Sequence, residues 1–170
     1  MREIIHFFHT NDLHSHFTYW KRSQSFIQMQ RKMLSDRGET SFLVDLGDHI
    51  DRSNLYTEAT LGKGNIKMLN EAQYDVVTIG NNEGITLPYD VLFHLYDDAE
   101  FEVVVGNLYS QFEENPRWMK PYTILTTRYG TKIAVIAATA QFDLFYKELG
   151  WEVTTPRAEL IKLAFELKKH

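Results

Sequence analysis

The strongest constraint on this chain is an alternation. Short apolar runs of strand length are separated by longer stretches whose apolar residues recur at helical spacing, the layout of a layered α/β fold. Residues 4–8, 41–46, 74–79 and 101–105 read as strands. Residues 17–37 read as a helix packed through Trp20, Ile27, Met29, Met33 and Leu34, with Gly38 as its stop. Tyr19 and Phe26 are expected to pack with it, and the Met29/Met33 stripe is expected in the core. Further helices are expected over 64–72 and, after Pro88, over 89–96. Residues 122–125 and 132–137 form a hairpin around Tyr129-Gly130, the only antiparallel pair the sequence announces. A last helix starts at Thr155-Pro156, with Thr as cap and Pro in the first turn. No repeat or linker divides the 170 residues, so they read as one domain.

Three of the expected strands run into polar residues that can hold a metal ion. The first leads into Asp12-Leu13-His14, the second into Gly47-Asp48-His49-Ile50-Asp51-Arg52 and the third into Gly80-Asn81-Asn82-Glu83. In a parallel sheet these endings share one edge, the carboxyl edge where open α/β sheets bind ligands. Asp12, Asp48 and Asn81 then converge from separate strands, and His14, two residues past Asp12, can turn to the same ion. Gly47 and Gly80 are expected at positive φ, where tight turns present the next side chain to the sheet edge. Carboxylate, imidazole and amide oxygen suit Mn²⁺, Fe²⁺, Zn²⁺ or Mg²⁺. With Asp48 as a bridge, two ions about 3.5–4 Å apart can activate water and clamp a phosphate for in-line attack. Phosphoester hydrolysis follows from such a pair.

The three blocks resemble the DxH, GDxxDR and GNHE blocks of the calcineurin-like metallophosphoesterases. The opening His9-Thr10-Asn11-Asp12-Leu13-His14-Ser15-His16 is similar to the 5′-nucleotidase branch, which includes cyclic phosphodiesterases acting on nucleotides. The resemblance implies the N-terminal part of a four-layer α/β/β/α sandwich with a mainly parallel sheet. It implies two divalent ions, with Asp12, His14 and Asp48 on the first and Asp48 and Asn81 on the second. It also implies a nucleotide or other small phosphoester as substrate. The family's later blocks, an isolated His and a GHxH pair, have no counterpart here. Residues 1–170 are therefore expected to be a partial metallophosphoesterase domain, truncated before its second half and with little activity alone. Asn82 stands where the family has a histidine, and Ile85 where this branch has an aspartate. An amide donates a hydrogen bond to phosphate but has no proton to lose near pH 7. Hydrolysis then rests on the metals, or on Glu83, His16 or His49 as substitutes. The alternative is a non-catalytic nucleotide- or metal-binding module of the same fold.

Other readings follow from residue chemistry. Arg52 is expected to clamp phosphate with its planar fork, the alternative being a surface pair with Asp51 or Glu58. Asn81 and Asn82 can also serve as turn residues at left-handed φ. Asn107 is expected in a turn, and Asp97, Asp98 and Glu100 at a solvated helix end. The net charge of −5 and the lack of a basic stripe exclude a polymeric nucleic acid as partner. The only basic cluster, Lys168-Lys169-His170, closes the last helix. No apolar run is long enough to span a membrane, and no secretory signal is expected ahead of the first strand. The absence of cysteine excludes thiolate chemistry and fits a cytoplasmic location. A truncated domain leaves an apolar face bare, which makes a homo-oligomer the expected partner of last resort.

Overall fold

The computed structural model describes residues 3–112 and 114–168. β1 (Ile5–Thr10) and β2 (Thr40–Asp45) run parallel and flush, pairing from Ile5 with Thr40 to Thr10 with Asp45. β3 (Val76–Val77), β4 (Glu102–Val104) and β6 (Met119–Lys120) extend the sheet in the order β1-β2-β3-β4-β6, every pair parallel. All five strands therefore end at one rim. β3 is shorter than expected, yet Asp75 N–H donates to Leu43 O (2.9 Å) and Thr78 N–H to Asp45 O (3.0 Å), so the bonding continues past its ends.

The crossovers carry α1 (Trp20–Asp36), α2 (Leu55–Thr60) with α3 (Lys63–Ala72), and α4 (Asn81–Thr86) with α5 (Tyr89–Leu95). Trp20 of α1, Ile66 and Leu69 of α3, and Leu92 and Leu95 of α5 join Leu43, Val77 and Val103 of the sheet in one buried cluster. Each such side chain contributes roughly 1.5–3 kcal/mol by leaving water. Pro88 precedes α5 at its N-cap rather than inside its first turn.

The expected packing of α1 is corrected. Met29 and Met33 are exposed, as are Tyr19 and Phe26, while Trp20 and Leu34 are buried and Ile27 packs against the core. The buried or core-packed apolar residues of the helix, Trp20, Ile27 and Leu34, recur only every seven positions, a narrow stripe. Its flank is held instead by polar bonds: Gln24 Nε2 donates to Glu71 O (2.9 Å) and Arg31 pairs with Asp75 (2.9 Å).

The hairpin forms as expected, from β7 (Tyr122–Thr126) and β8 (Lys132–Ile136), and its tip reaches back to the start of the sheet, where Tyr129 Oη donates to Gly38 O (3.2 Å). A second antiparallel pair was not expected: β5 (Leu108–Ser110) with β9 (Trp151–Val153), which follows α6 (Asp143–Glu148). Buried Asn107 ties these pieces together, donating to Thr139 O (3.0 Å) and Thr154 O (2.9 Å) and accepting from Thr139 N–H (2.8 Å). α7 (Pro156–Leu167) closes the described chain. Thr155 occupies its cap position without a side-chain bond; Lys168 is its C-cap, and Lys169 and His170 of the basic cluster lie outside the described residues. Asp97, Asp98 and Glu100 are exposed, as expected of a solvated helix end. Among the described residues no helix is long and apolar enough to cross a membrane.

Candidate metal centre

Flush strands let the loops after β1 and β2 continue side by side beyond the sheet. Asp12 N–H donates to Gly47 O (3.1 Å), His14 N–H to Asp48 O (3.0 Å) and Ser15 N–H to His49 O (3.1 Å). The ribbon is bought with backbone strain: Asp12 (φ 50°), His14 (φ 46°), Ser15 (φ 53°) and Asp48 (φ 55°) all sit in the left-handed region. Such a conformation costs about 1 kcal/mol or more per non-glycine residue, and it clusters at functional sites. Here it turns three donor side chains toward one another. One ligand atom each from Asp12, His14 and Asp48 lies within 4.8 Å of the other two. His14 Nε2 is 3.5 Å from Asp12 Oδ1.

The third block forms a helix start rather than the turn its asparagines allowed. Asn82 N–H, in the first turn of α4, donates to Asp48 Oδ1 (2.8 Å), so Asp48 caps a helix distant in sequence. Gly80 has φ −95°, not the positive φ expected of it; its lack of a side chain is required by space, since a Cβ there falls 2.1 Å from Asp48 Oδ1. Gly47 does adopt positive φ (98°), and a Cβ on it falls 2.6 Å from Gly80 N. The two glycines thus let the second and third loops touch backbone to backbone.

Asn81 places its side-chain amide 3.3 Å from Asp48 Oδ2. With nitrogen at that point the amide donates to Asp48; with oxygen there, two acceptors face each other, an arrangement that a shared cation relieves. Carboxylate, imidazole and amide oxygen are thereby gathered at one rim, a donor set that fits a hard-to-borderline divalent ion. Asn82 Nδ2 lies 2.8 Å from His14 Nδ1 and donates to Ile50 O (3.0 Å), so the amide nitrogen is held between the first and second loops.

Beneath the rim lies a buried acidic layer. Glu83 accepts from Gly80 N–H (2.7 Å), Asp48 N–H (3.0 Å) and Ile50 N–H (2.8 Å), which pins the second loop to α4. His49 is fully buried, with Nδ1 at 3.4 Å from Asp45 Oδ1 and 3.7 Å from Glu83 Oε1, and Nε2 at 3.2 Å from Tyr96 Oη. Burial acts to lower its pKa, but Glu83, Asp45 and Asp48 more than offset this and leave it raised. Burial, with Glu83 and Asp45, also pushes Tyr96 well up. Tyr146, bonded to Thr139 (2.9 Å), is raised to about 12 chiefly by burial, and its hydroxyl fills the space beside Gly84.

Asp12 has its carboxyl held below the usual range, first by the Asn11 side chain and then by His14. Asp51 is lowered by Ser53. Arg52 is placed on Glu58, to which Nε and Nη2 donate at 2.7 and 2.9 Å, while Nη1 donates to Thr86 O at 2.6 Å. The fork that was expected on phosphate is committed to this pair, and it ties α2 to the end of α4. His16 is exposed, and His49 is walled off from the rim.

The sequence thus led to the residues at the rim but not to those that hold them. Tyr96 and Asp45 were missed because each sits in an ordinary strand or helix pattern. The one available signal was His49 itself, a polar residue between Asp48 and a fully buried Ile50.

Residues 5–159 match the family model described as calcineurin-like phosphoesterase. The chain is 42% identical over 168 residues to an uncharacterized metallophosphoesterase, YunD, of Bacillus subtilis (strain 168), covering 99% of this chain and 36% of that protein. It is 28% identical to a 5′-nucleotidase of Vibrio parahaemolyticus, covering 95% of this chain and 30% of that one. Its fold is similar to that of the NAD nucleotidase NadN of Haemophilus influenzae, with TM-score 0.82 at 19% identity over 96% of this chain and 35% of that one. The chain spans about a third of the length of these relatives. With the motif blocks brought to one rim of a parallel sheet, and the match running through nearly every element described, this chain belongs to the calcineurin-like phosphoesterases.

Proposed function

We propose that the chain is the N-terminal part of a metal-dependent phosphoester hydrolase of the 5′-nucleotidase type, acting on nucleotides or related small phosphoesters. The observation that carries this is the convergence of Asp12, His14 and Asp48 within 4.8 Å, held by left-handed backbone at the sheet rim. Asp12, His14 and Asp48 would hold one divalent ion, and Asp48 with Asn81 a second; Mn²⁺, Zn²⁺, Fe²⁺ and Mg²⁺ all suit these donors. When bound, such ions polarise phosphate and lower the pKa of water. Each ion would be short of ligands, and we assign the remainder to a longer parent protein, a reading supported by the third of their length that the relatives share with this chain. Residues 1–170 are then a partial domain, weak in metal binding and nearly inactive alone. The cysteine-free composition supports a cytoplasmic setting.

Asn82 is the residue we place beside the phosphate. It touches His14 and lies in the first turn of α4, so exchanging its bond to Ile50 O for one to a phosphate oxygen requires only side-chain movement. It supplies a hydrogen bond and no proton, which leaves the leaving group to solvent and makes turnover slow. Arg52 contributes indirectly, by steadying the end of α4 through Thr86.

The test is hydrolysis of nucleoside monophosphates by the parent protein with Mn²⁺. We expect phosphate release that Asp48→Asn lowers at least 100-fold and that Asn82→His raises, since a titratable group then stands at the leaving-group position. The second reading, a binding module without turnover, is favoured by one observation, the packing of the Asn82 amide nitrogen against His14 Nδ1 and Ile50 O. Nucleotide retained without phosphate release, in both wild type and Asn82→His, would establish it instead.

A further inference from the structure

Behind the two metal-ligand loops lies a closed ring of buried polar side chains that the catalytic reading does not use. Ser15, Thr57 and Asn65 are 2%, 0% and 2% exposed. Thr57 Oγ1 lies 2.8 Å from Ser15 Oγ and 2.9 Å from Asn65 Oδ1, and Asn65 Nδ2 lies 3.0 Å from Ser15 Oγ.

Ser15 Oγ accepts from Asp51 N–H (2.8 Å) and from Asn65 Nδ2. The Asn65 oxygen can only accept, and the single Thr57 hydrogen is shared between it and Ser15 Oγ. The second Asn65 hydrogen goes to His49 O (3.1 Å), which fixes the amide orientation, because a flipped amide would face oxygen to oxygen. Each of the three side chains is thus bonded to the other two, a closed network in which hydrogen bonds reinforce one another.

The ring grips the residue after each ligand-bearing turn. Ser15 follows His14, and its carbonyl also accepts from Asn54 Nδ2 (3.0 Å). His49 follows Asp48, and its carbonyl accepts from both Ser15 N–H and Asn65. Apolar side chains would fill this volume without the cost of burying polar groups. What they cannot do is hold His14, Ser15 and Asp48 at left-handed φ, which nothing in their own sequence favours strongly. We propose that Thr57 and Asn65, from α2 and α3, are positioning residues of the metal centre, setting the separation of His14 from Asp48 through Ser15 and His49. This rests on the metal-centre reading above.

Thr57→Val keeps the shape of the side chain and removes the hydroxyl, whereas Thr57→Ser keeps the hydroxyl. Mn²⁺ titration followed by electron paramagnetic resonance should show Thr57→Ser binding like wild type and Thr57→Val weakened by about 10–100-fold, the usual effect of losing an outer-shell partner. Equal affinities for all three proteins would overturn the proposal. A wild type that binds no Mn²⁺ refutes the metal centre rather than the ring, and amide exchange of the metal-free protein then decides. Asp51 N–H, which lies outside any helix or strand but donates to Ser15 Oγ, should exchange slowly in wild type. It should exchange at least tenfold faster in Thr57→Val, with the β4 amides unchanged. Unprotected Asp51 in wild type overturns the proposal even if Thr57→Val does not fold.

Discussion

At Gly80 one methyl group decides whether the second and third blocks can meet. A Cβ there falls 2.1 Å from Asp48 Oδ1 and 2.6 Å from Asp48 N, and the backbone atom has no free side chain to swing away. Gly80→Ala should therefore lower stability by about 1–3 kcal/mol, as overpacking does, and move Asp48 out of ligand range. Urea unfolding with a parallel Mn²⁺ titration measures both, and unchanged values would show that the loops separate without cost. Arg52 gives a second test at this scale. Its bond to Glu58 holds that carboxyl below the ordinary value of 4.5. A depressed folded-state pKa means that the pair contributes stability above the unfolded value and loses it as pH falls from 4.5 through the folded value. The pair is solvent-exposed and the contribution small. Carboxyl resonances followed against pH should place Glu58 below 4.5 in wild type and near it in Arg52→Gln. His14 and Asp48 were legible in the sequence because they are adjacent to strand ends; the partners of Ser15 lie 42 and 50 residues away, and no local pattern connects them.

The longer helices were legible from their period, and the six-residue ones were not. α2, α4 and α6 have six residues each, less than two full turns, so no apolar stripe can recur within them. The asparagines that open α4 carried the look of a turn because Asn serves both purposes. α1 shows the opposite failure: its seventeen residues gave a clear helix, but more apolar positions than one sheet face can cover. Trp20, Ile27 and Leu34 take the contact, leaving Met29 and Met33 at 52% and 42% exposure. Leu34→Ala should thus cost about 2–4 kcal/mol, whereas Met29→Gln and Met33→Gln should stay within about 0.5 kcal/mol. Chemical denaturation of the three variants checks this, and comparable losses at Met33 and Leu34 would restore the methionines to the core. β5 and β9 escaped notice because three-residue strands separated by forty residues of chain announce neither turn nor alternation.

Across the whole molecule, one edge of the sheet gathers the chemistry while apolar side chains remain uncovered elsewhere. Phe7 of β1, Leu46 just past β2 and Ile124 of the hairpin are 48%, 54% and 41% exposed. Apolar groups left in water favour association, so the isolated chain should self-associate as concentration rises. Light scattering giving one monomer mass across that range would contradict this. That the strands over 4–8, 41–46, 74–79 and 101–105 share a parallel sheet was implied by the alternation of runs, and with it the rim at which the blocks meet, whereas the two-residue β6 was not expected. What no run of letters conveys is whether two loops reach left-handed backbone together, because that depends on bonds made across the ribbon. Everything functional depends on this convergence, and a direct measurement is Mn²⁺ binding by the wild-type chain beside Asp48→Asn. The account predicts saturable binding that the substitution weakens at least tenfold; equal affinity in the two proteins, or none in the wild type, would contradict it.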